Sequence, residues 1–169
     1  MTTTHTPLRL GILGCANIAK QFARDVSAST SVSLAAVASR DLAKSQAFAQ
    51  SFGITRAHGS YEALLADADI DAIYLPLPNS LHAEWAIRAM QAGKHVLCEK
   101  PLALNHAEVT RMFEVARQQG VMLLEAYPYW SNLKPAICWH VCSLKKLAKY
   151  AACTPVLVSP SAMWTPTSA

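Results

Sequence analysis

Six short apolar segments, separated by stretches with helical periodicity, constrain the fold of this chain more than any other feature. The segments lie at residues 8–13, 32–38, 55–58, 72–77, 95–98 and 121–126. Between them, apolar residues recur at spacings of three or four, which is typical of helices that pack through one face. Buried strands that alternate with helices favour a parallel sheet. We therefore predict an α/β fold, a doubly wound parallel sheet of the Rossmann type with strand order 3-2-1-4-5-6.

Capping residues predict where the helices begin and end. The predicted N-caps are Asp41, Ser60 and Asn105, the fourth helix begins at Asn79 or Ser80, and the closing glycines are Gly53, Gly93 and Gly120. Glu108, three residues after Asn105, predicts a capping box in which Asn replaces the usual Ser or Thr. The predicted inner faces contain Ile18, Phe22 and Val26 in the first helix and Leu81, Trp85, Ala89 and Met90 in the fourth.

The net charge of +4 comes from one end of the chain. Residues 1–125 contain 11 basic and 11 acidic side chains, whereas residues 126–169 contain four lysines and no acidic side chain. The lysines of this second part lack an interleaved aromatic stripe, which argues against a nucleic-acid partner. No apolar run approaches the roughly 18 residues that a membrane span needs, and the first residues do not resemble a signal peptide. We therefore expect a cytoplasmic protein with no membrane partner.

A glycine turn follows the first predicted strand. Gly14, Ala16 and Ala19 occupy the three small-residue positions of a G-x-G-x-x-G/A dinucleotide turn, between a strand and a helix. The N–H groups at the start of such a helix bind phosphate, so residues 14–18 are candidate cofactor contacts. These candidates are Gly14, Cys15, Ala16, Asn17 and Ile18. The methyl group of Ala16 should crowd a pyrophosphate slightly, and an ordinary tight turn with small residues is the alternative interpretation.

The end of the second strand bears on which dinucleotide binds. An NAD site usually places Asp or Glu there for the ribose hydroxyls, but this chain has Ser39 and Arg40. A guanidinium group can hold a 2′-phosphate through paired charged hydrogen bonds, whereas a carboxylate repels it. NADP is therefore the preferred cofactor and NAD a possible one. The alternative is that Arg40 is solvated and Asp41 only caps the next helix.

Two longer motifs carry a family resemblance. Residues 74–82 read YLPLPNSLH and residues 92–101 read AGKHVLCEKP. Together with the glycine turn, they resemble the Gfo/Idh/MocA family of NAD(P)-dependent oxidoreductases, over residues 8–129. The sequences GCANIA at residues 14–19 and LPNSLH at residues 77–82 are most similar to its xylose dehydrogenase and trans-dihydrodiol dehydrogenase branch.

The resemblance implies a role for the Glu99-Lys100-Pro101 segment at the end of the fifth strand. Members of the family use the lysine in substrate binding and proton transfer, and Glu99 is expected to orient Lys100. A lysine beside an oxidised nicotinamide has a lowered pKa, which suits that role. Pro101 can accept a cis peptide bond that aims Lys100 into the crevice. A surface ion pair between Lys100 and Glu99 is the alternative.

Further candidates follow from the same resemblance. Pro78, Asn79 and His82 match the family loop that borders the cofactor, with an exposed helix-start histidine as the alternative interpretation of His82. We read Trp85 as a core residue. Cys15 and Cys98 have no partner spacing and are expected to be small buried thiols.

The chain is expected to divide into an NAD(P)-binding Rossmann domain at residues 1–126 and an atypical tail at residues 127–169. The family continues with a second α+β domain, whose beginning is visible only in residues 125–130, so we expect a truncated or frame-shifted end. A basic amphipathic helix is considered for residues 137–150. Cys138, His140 and Cys142 match no standard zinc spacing, so no metal site is predicted.

Three functions remain open from the sequence. The first is an oxidoreductase that transfers hydride between NADP(H) and a carbon bearing a hydroxyl group on a sugar or diol. The second is a remnant that binds the cofactor without turnover, which fits a chain lacking the second domain. The third is a non-enzymatic module that senses NADPH or binds a partner protein. The oligomeric state is not predicted without the second domain.

Overall fold

The computed structural model describes residues 6–126, which form a six-stranded parallel sheet with helices on both faces. The strands are β1 (Leu8–Leu13), β2 (Val32–Ala38), β3 (Arg56–His58), β4 (Ala72–Leu75), β5 (His95–Glu99) and β6 (Leu123–Ala126). The helices are α1 (Asn17–Val26), α2 (Leu42–Phe52), α3 (Tyr61–Leu65), α4 (His82–Gln91) and α5 (His106–Gln119). The strand order is β3-β2-β1-β4-β5-β6, so the predicted Rossmann topology is confirmed.

The core lies in two layers, one on each face of the sheet. Helices α1 and α2 cover one face, where the aromatic ring of Phe22 stacks on that of Tyr74 with centroids 3.8 Å apart. Helices α3, α4 and α5 cover the other face, where Trp85 is 8% exposed and meets the edge of Tyr61. Trp85 is thus a core residue, as predicted. Because both faces are covered, β4 is buried at every residue, and β1 is apolar except for Arg9 near its start.

The predicted caps are confirmed at three helices. Asp41 accepts hydrogen bonds from the N–H groups at the start of α2, and Ser60 does the same for α3. The side chain of Asn105 accepts a hydrogen bond from the N–H of Glu108. The Glu108 carboxylate accepts one from the Leu104 N–H, whereas a capping box would have it accept from the Asn105 N–H. Local side-chain acceptors therefore explain where these helices begin.

Strand β4 is shorter than predicted. The expected segment ran to residue 77, but the strand ends at Leu75 because Pro76 has no N–H for the ladder. The helix expected from Asn79 or Ser80 begins instead as a 3₁₀ turn over Asn79–Leu81, and α4 starts at His82. Three residues of 3₁₀ geometry at a helix start are common.

The sixth strand also begins later than predicted. The expected segment started at Val121, whose N–H instead donates to the Ala116 carbonyl and closes α5. The N–H of Met122 donates to Nδ1 of His95 at 3.0 Å, so it is also unavailable to the sheet. Strand β6 therefore begins at Leu123. A backbone N–H engaged elsewhere cannot extend a strand.

Ile18 is not part of the inner face of α1. It is 48% exposed, whereas the buried residues of this helix are Ala19, Phe22, Ala23 and Val26. A spacing of four residues advances about 40° around a helix, so Ile18 lies at the edge of the stripe that Phe22 and Val26 define.

Within residues 6–126, no helix is long and apolar enough to cross a membrane. In the same part of the chain, no group of three His, Cys, Asp or Glu side chains is arranged to hold a metal ion. The predictions for residues 127–169, including the basic helix and the Cys138, His140 and Cys142 group, lie outside the described residues.

Candidate functional site

The predicted site segments follow the carboxyl ends of four parallel strands. Leu13 pairs with Ala38 across β1 and β2, and Leu75 pairs with Cys98 across β4 and β5. Strands β2 and β3 lie on one side of β1, whereas β4, β5 and β6 lie on the other, so the strand order reverses between β1 and β4. Ligands of open parallel sheets bind outside the carboxyl ends of the strands at such a point.

Gly14 adopts a backbone conformation that requires glycine. Its φ angle is +120°, and a Cβ atom there would lie 2.9 Å from Cδ2 of Leu77. The N–H of Gly14 donates to the Ala38 carbonyl at 2.9 Å, which fixes the turn against the end of β2. The turn therefore packs between the end of β2 and the loop after β4, and a side chain at this position would disturb both contacts.

Helix α1 begins without a side-chain cap, unlike α2, α3 and α5. Its N-cap is Ala16, whose methyl group accepts no hydrogen bond, and no acidic side chain lies in its first turn. Asn17 and Ile18 at this end are exposed. Uncapped N–H groups and the positive end of the helix dipole form a ready anion site. This end of α1 is thus suited to a phosphate group.

In the segment after β2, the charged side chain of Arg40 is exposed to solvent. The Asp41 carboxylate accepts from the N–H groups of Ala43 and Lys44, while the Ser39 hydroxyl accepts from the Asp41 N–H at 3.2 Å. Arg40 is exposed and forms no ion pair with the described residues. Asp41 is a cap, as the alternative interpretation held, and Arg40 is available to an anion. Both interpretations of this segment are therefore compatible with its geometry.

Cys15 lies between these two segments. Its Sγ is 3.8 Å from the Lys44 carbonyl oxygen and 4.0 Å from that of Ala38. Burial raises the pKa of the Cys15 thiol, which is half-buried, and burial also raises the pKa of the Cys98 thiol. Both cysteines are free thiols. The prediction of a buried thiol is therefore confirmed for Cys98, whereas Cys15 is only half-buried.

The Lys100 side chain is exposed at the end of β5, and the Lys100–Pro101 peptide bond is cis. No ion pair to Lys100 is present among residues 6–126, so the alternative of a salt bridge with Glu99 is not what this structure has. Glu99 contacts the main chain of Lys100 instead of its amine, because Oε2 of Glu99 accepts a hydrogen bond from the Lys100 N–H at 3.4 Å. Glu99 is therefore placed to orient the main chain that carries Lys100.

Sequence reasoning did not identify the residues that hold this loop. The Tyr74 hydroxyl donates to Oε1 of Glu99 at 2.6 Å, and the Leu102 N–H donates to Oε1 of Glu125 at 2.8 Å. The signal for Tyr74 was available, because a tyrosine in an otherwise aliphatic buried strand needs a partner for its hydroxyl. For Glu125 there was no such signal, since the contact depends on the register of β5 and β6.

His82 is buried at the start of α4. The ring is fully buried, with Nε2 at 2.8 Å from the Leu77 carbonyl oxygen and Nδ1 at 2.8 Å from that of Pro101. The expectation of an exposed helix-start histidine is therefore wrong. Contact of His82 with the nicotinamide ribose or the substrate stays a prediction; in this structure both ring nitrogens face carbonyl oxygens. Pro78 and Asn79, by contrast, are exposed at the same strand edge.

The comparisons with known proteins agree with this arrangement. The model of an oxidoreductase family, described as GFO_IDH_MocA with an NAD-binding Rossmann fold, matches residues 8–127. D-xylose 1-dehydrogenase (NADP(+)) 2 of Haloferax volcanii is 46% identical over 122 residues, which are 72% of this chain and 38% of that protein. A mouse trans-1,2-dihydrobenzene-1,2-diol dehydrogenase is 42% identical over 77% of this chain and 39% of its own length.

The fold of this chain is also similar to that of a solved oxidoreductase structure. A 3-ketoreductase from Actinomadura kijaniata, crystallised with TDP-benzene and NADP, superposes with a TM-score of 0.72 at 39% sequence identity. The match covers 83% of this chain and 44% of that enzyme. The chain thus spans about two fifths of the length of the relatives that it matches.

Proposed function

Because this chain belongs to the Gfo/Idh/MocA oxidoreductase family through its NAD-binding Rossmann domain, we propose that residues 1–126 bind NADP(H) for hydride transfer. The hydride would pass between nicotinamide C4 and a carbon that bears a hydroxyl group on a sugar or diol. The observation that carries this proposal is the convergence of the Gly14 turn, Arg40 and Lys100 at the carboxyl edge of one sheet, around the point where strand order reverses.

Each group has a distinct task in this proposal. The uncapped start of α1, from Asn17, receives the pyrophosphate, for which its free N–H groups and helix dipole are suited. Arg40 holds the 2′-phosphate, because the carboxylate of Asp41 is already engaged by backbone N–H groups of α2. Ser39 and Pro78 with Asn79 border the nucleotide on either side of the Gly14 turn. NADP is named in two of the relatives described above, and NAD remains the second cofactor.

The cofactor supplies the hydride acceptor or donor when bound, and this chain supplies the proton chemistry. Lys100 holds or receives the proton of the substrate hydroxyl group as the carbon is oxidised, and returns it in the reverse direction. Glu99 acts through the backbone of Lys100 and fixes where the amine stands. Strand β5, which carries Glu99 and precedes Lys100, lies on the other side of β1 from β2, which precedes Arg40, so Lys100 and Arg40 would face opposite ends of a bound cofactor.

The substrate class is proposed from the relatives. These relatives are a xylose dehydrogenase, a dihydrodiol dehydrogenase and dTDP-sugar 3-reductases. All act on a carbon that interconverts between hydroxyl and carbonyl states, so a sugar or diol is the proposed partner. Cys15 and Cys98, the cysteines within residues 6–126, are free thiols, which is compatible with a reducing compartment, and we propose the cytoplasm.

One titration tests the proposal. NADPH and NADH fluorescence is followed as the full chain is added, and dehydrogenase activity is then assayed with aldoses, trans-diols and nucleotide-linked keto sugars. We expect NADPH to bind more tightly than NADH. Binding without turnover on any substrate supports the non-catalytic alternative, a cofactor-binding or NADPH-sensing module. If neither nucleotide binds, the proposed function is wrong.

The variant Lys100→Ala separates binding from chemistry. Removing a general acid or base typically lowers turnover about 10²- to 10⁴-fold, while NADPH affinity should change little. Arg117→Ala is the matched control, because Arg117 is also an exposed cation but lies in the last turn of α5, away from the residues assigned to the cofactor. Equal turnover in the wild type and Lys100→Ala would remove Lys100 from the mechanism.

A further inference from the structure

His82 joins two loops of the site from within the core. The residue is fully buried at the start of α4. Its Nε2 contacts the carbonyl oxygen of Leu77 in the loop after β4, and its Nδ1 contacts that of Pro101 in the loop after β5, both at 2.8 Å. These distances are those of good hydrogen bonds. The imidazole ring is therefore a direct link between the two loops.

The partners determine how the ring is protonated. A main-chain carbonyl oxygen accepts hydrogen bonds and donates none, so each of the two contacts requires an N–H on the ring. A neutral imidazole carries only one N–H, and its second nitrogen would hold a lone pair 2.8 Å from a carbonyl lone pair. Only the imidazolium form donates to both Leu77 and Pro101.

Turning the ring over does not resolve the conflict. A rotation of 180° would place ring carbons where the nitrogens are, and both hydrogen bonds would be lost. Within residues 6–126, neither the Leu77 nor the Pro101 carbonyl accepts another backbone hydrogen bond. A buried imidazole with no partner at either nitrogen would be strongly unfavourable. The imidazolium orientation satisfies the ring and both carbonyl groups at once.

The charged surroundings fit a cation. The titratable side chains on the elements around the ring are Tyr74 on β4, Glu84 and Arg88 on α4, His95, Cys98, Glu99 and Lys100 on β5 and its loop, His106, Glu108, Arg111, Glu114 and Arg117 on α5, and Glu125 on β6. Glu99 and Glu125 are only partly exposed, and both accept hydrogen bonds from the backbone of the loop that contains Pro101. Two carboxylates fixed on this loop offset a positive charge beside it.

The link reaches both halves of the proposed site. Pro101 directly follows Lys100, and Leu77 packs against Gly14. A ring that holds both carbonyl groups fixes the separation between the loop of Lys100 and the loop beside the nucleotide turn. With the loop after β4 beside the cofactor, as the proposed function has it, the distance from the Lys100 amine to the nicotinamide would depend on the same link.

We propose that His82 is an imidazolium bridge, with a proton on each ring nitrogen, that positions the Lys100 loop against the loop after β4. The consequence for Lys100 rests on the proposed function, whereas the protonation state and the bridge do not. His82 is thus a positioning residue, which acts on the reacting atoms only through Lys100.

The first test measures the ring directly and needs no variant. The full chain is labelled with ¹⁵N-histidine, and long-range ¹H–¹⁵N correlations are recorded at pH 7.5, with His82 assigned through the backbone of α4. We expect both His82 nitrogens at the shifts of protonated N–H groups. His106 is the internal reference, because it is exposed at the start of α5 and its nitrogens do not lie between two carbonyl oxygens. One unprotonated nitrogen in His82 would overturn the proposal.

The second test measures positioning by hydrogen exchange of residues 100–104. In His82→Gln the amide cannot span both carbonyl groups, so we expect exchange in this segment to accelerate by about tenfold or more, the worth of one charged hydrogen bond. Exchange at residues 10–13, in the centre of the sheet, should not change, and His106→Gln should leave both segments unchanged. Unchanged exchange in residues 100–104 of His82→Gln would overturn the bridge.

The two proposals fail separately. If the wild type binds neither nucleotide but shows a doubly protonated His82 and protected residues 100–104, the proposed function is wrong and the bridge stands. If NADPH binds but His82 is neutral, the bridge is wrong and the proposed function stands. Should His82→Gln not fold, the nitrogen shifts of the wild type decide the matter.

Discussion

The Tyr74 hydroxyl donates a 2.6 Å hydrogen bond to Oε1 of Glu99 and thereby joins β4 to the last residue of β5. Tyr74 pairs with Leu97 in the sheet, and Glu99 two residues later lies on the same face. The aromatic ring stacks on Phe22 of α1 with an interplanar angle of 13°. The Glu99 carboxylate is therefore held by a side chain that the core itself fixes.

The substitution Tyr74→Phe tests this bond, because it removes the hydroxyl group and keeps the ring stacked on Phe22. We expect a loss of about 1–2 kcal/mol in the free energy of unfolding, the usual worth of a partly buried hydrogen bond to a charged group. Urea denaturation at pH 8 measures it. Tyr61→Phe is the control, because the Tyr61 hydroxyl makes no hydrogen bond within residues 6–126, and it should be nearly neutral. Equal stability of Tyr74→Phe and wild type would refute the bond.

The alkaline stability of the protein follows from the same pair. Burial, and then the hydrogen bond to Glu99, raises the pKa of Tyr74 far above its ordinary value near 10. The unfolded chain therefore loses the tyrosine proton first, so stability is complete below about pH 10 and falls as the pH rises above it. In Tyr74→Phe this contribution is absent, and unfolding free energies measured from pH 8 to 11 should decline less steeply. An unchanged slope would show that Tyr74 ionises equally in both states.

Acid stability depends on Asp71 at the other end of the sheet. Burial alone would raise its pKa, but hydrogen bonds from the Arg9 side chain and backbone outweigh burial and hold the pKa of Asp71 below its ordinary value. This contribution is present above about pH 4 and is lost as the pH falls through the folded-state pKa. Asp71→Asn should therefore destabilise the protein at pH 7 and less so near pH 3, by urea denaturation. Asp25→Asn, at an exposed position on α1, is the control and should change the free energy of unfolding at pH 7 much less than Asp71→Asn.

Gly14→Ala should destabilise the turn and weaken NADPH binding together. The φ of +120° and the 2.9 Å approach to Leu77 predict a cost of about 1–3 kcal/mol in unfolding free energy. Gly53→Ala is the matched control, because Gly53 also has a positive φ but open space around it. The control should lose about 1 kcal/mol and keep its NADPH affinity. Wild-type affinity in Gly14→Ala would separate the turn from the nucleotide.

Arg40→Asp should reverse the cofactor preference. Replacing a guanidinium group with a carboxylate next to a 2′-phosphate should weaken NADPH binding about 10- to 100-fold, the range for a charged hydrogen bond. NADH lacks that phosphate, so its dissociation constant should change little. Arg111→Asp, on the exposed side of α5, is the control for net charge. An equal loss for both nucleotides would refute the 2′-phosphate role of Arg40.

Much of this fold was predictable because its signals are local. The side-chain oxygens of Asp41 and Ser60 bond N–H groups two or three residues away, and Gly53 and Gly120 supply the left-handed conformation that ends a helix. Pro76 shows the limit of periodicity, since an apolar pattern continues through it although the strand cannot. The candidate segments were also predictable, because each directly follows a strand.

The sequence by itself determined the order of the strands and helices, the strand order of the sheet and the segments at its carboxyl edge. Only the tertiary structure decided that His82 is buried between two carbonyl groups, and that Tyr74 holds Glu99 across 25 residues of sequence. The physical reason is the distance along the sequence over which each kind of interaction acts. Caps, glycine turns and apolar periodicity act within a few residues, whereas these contacts depend on the register of neighbouring strands and the path of the loops that follow them.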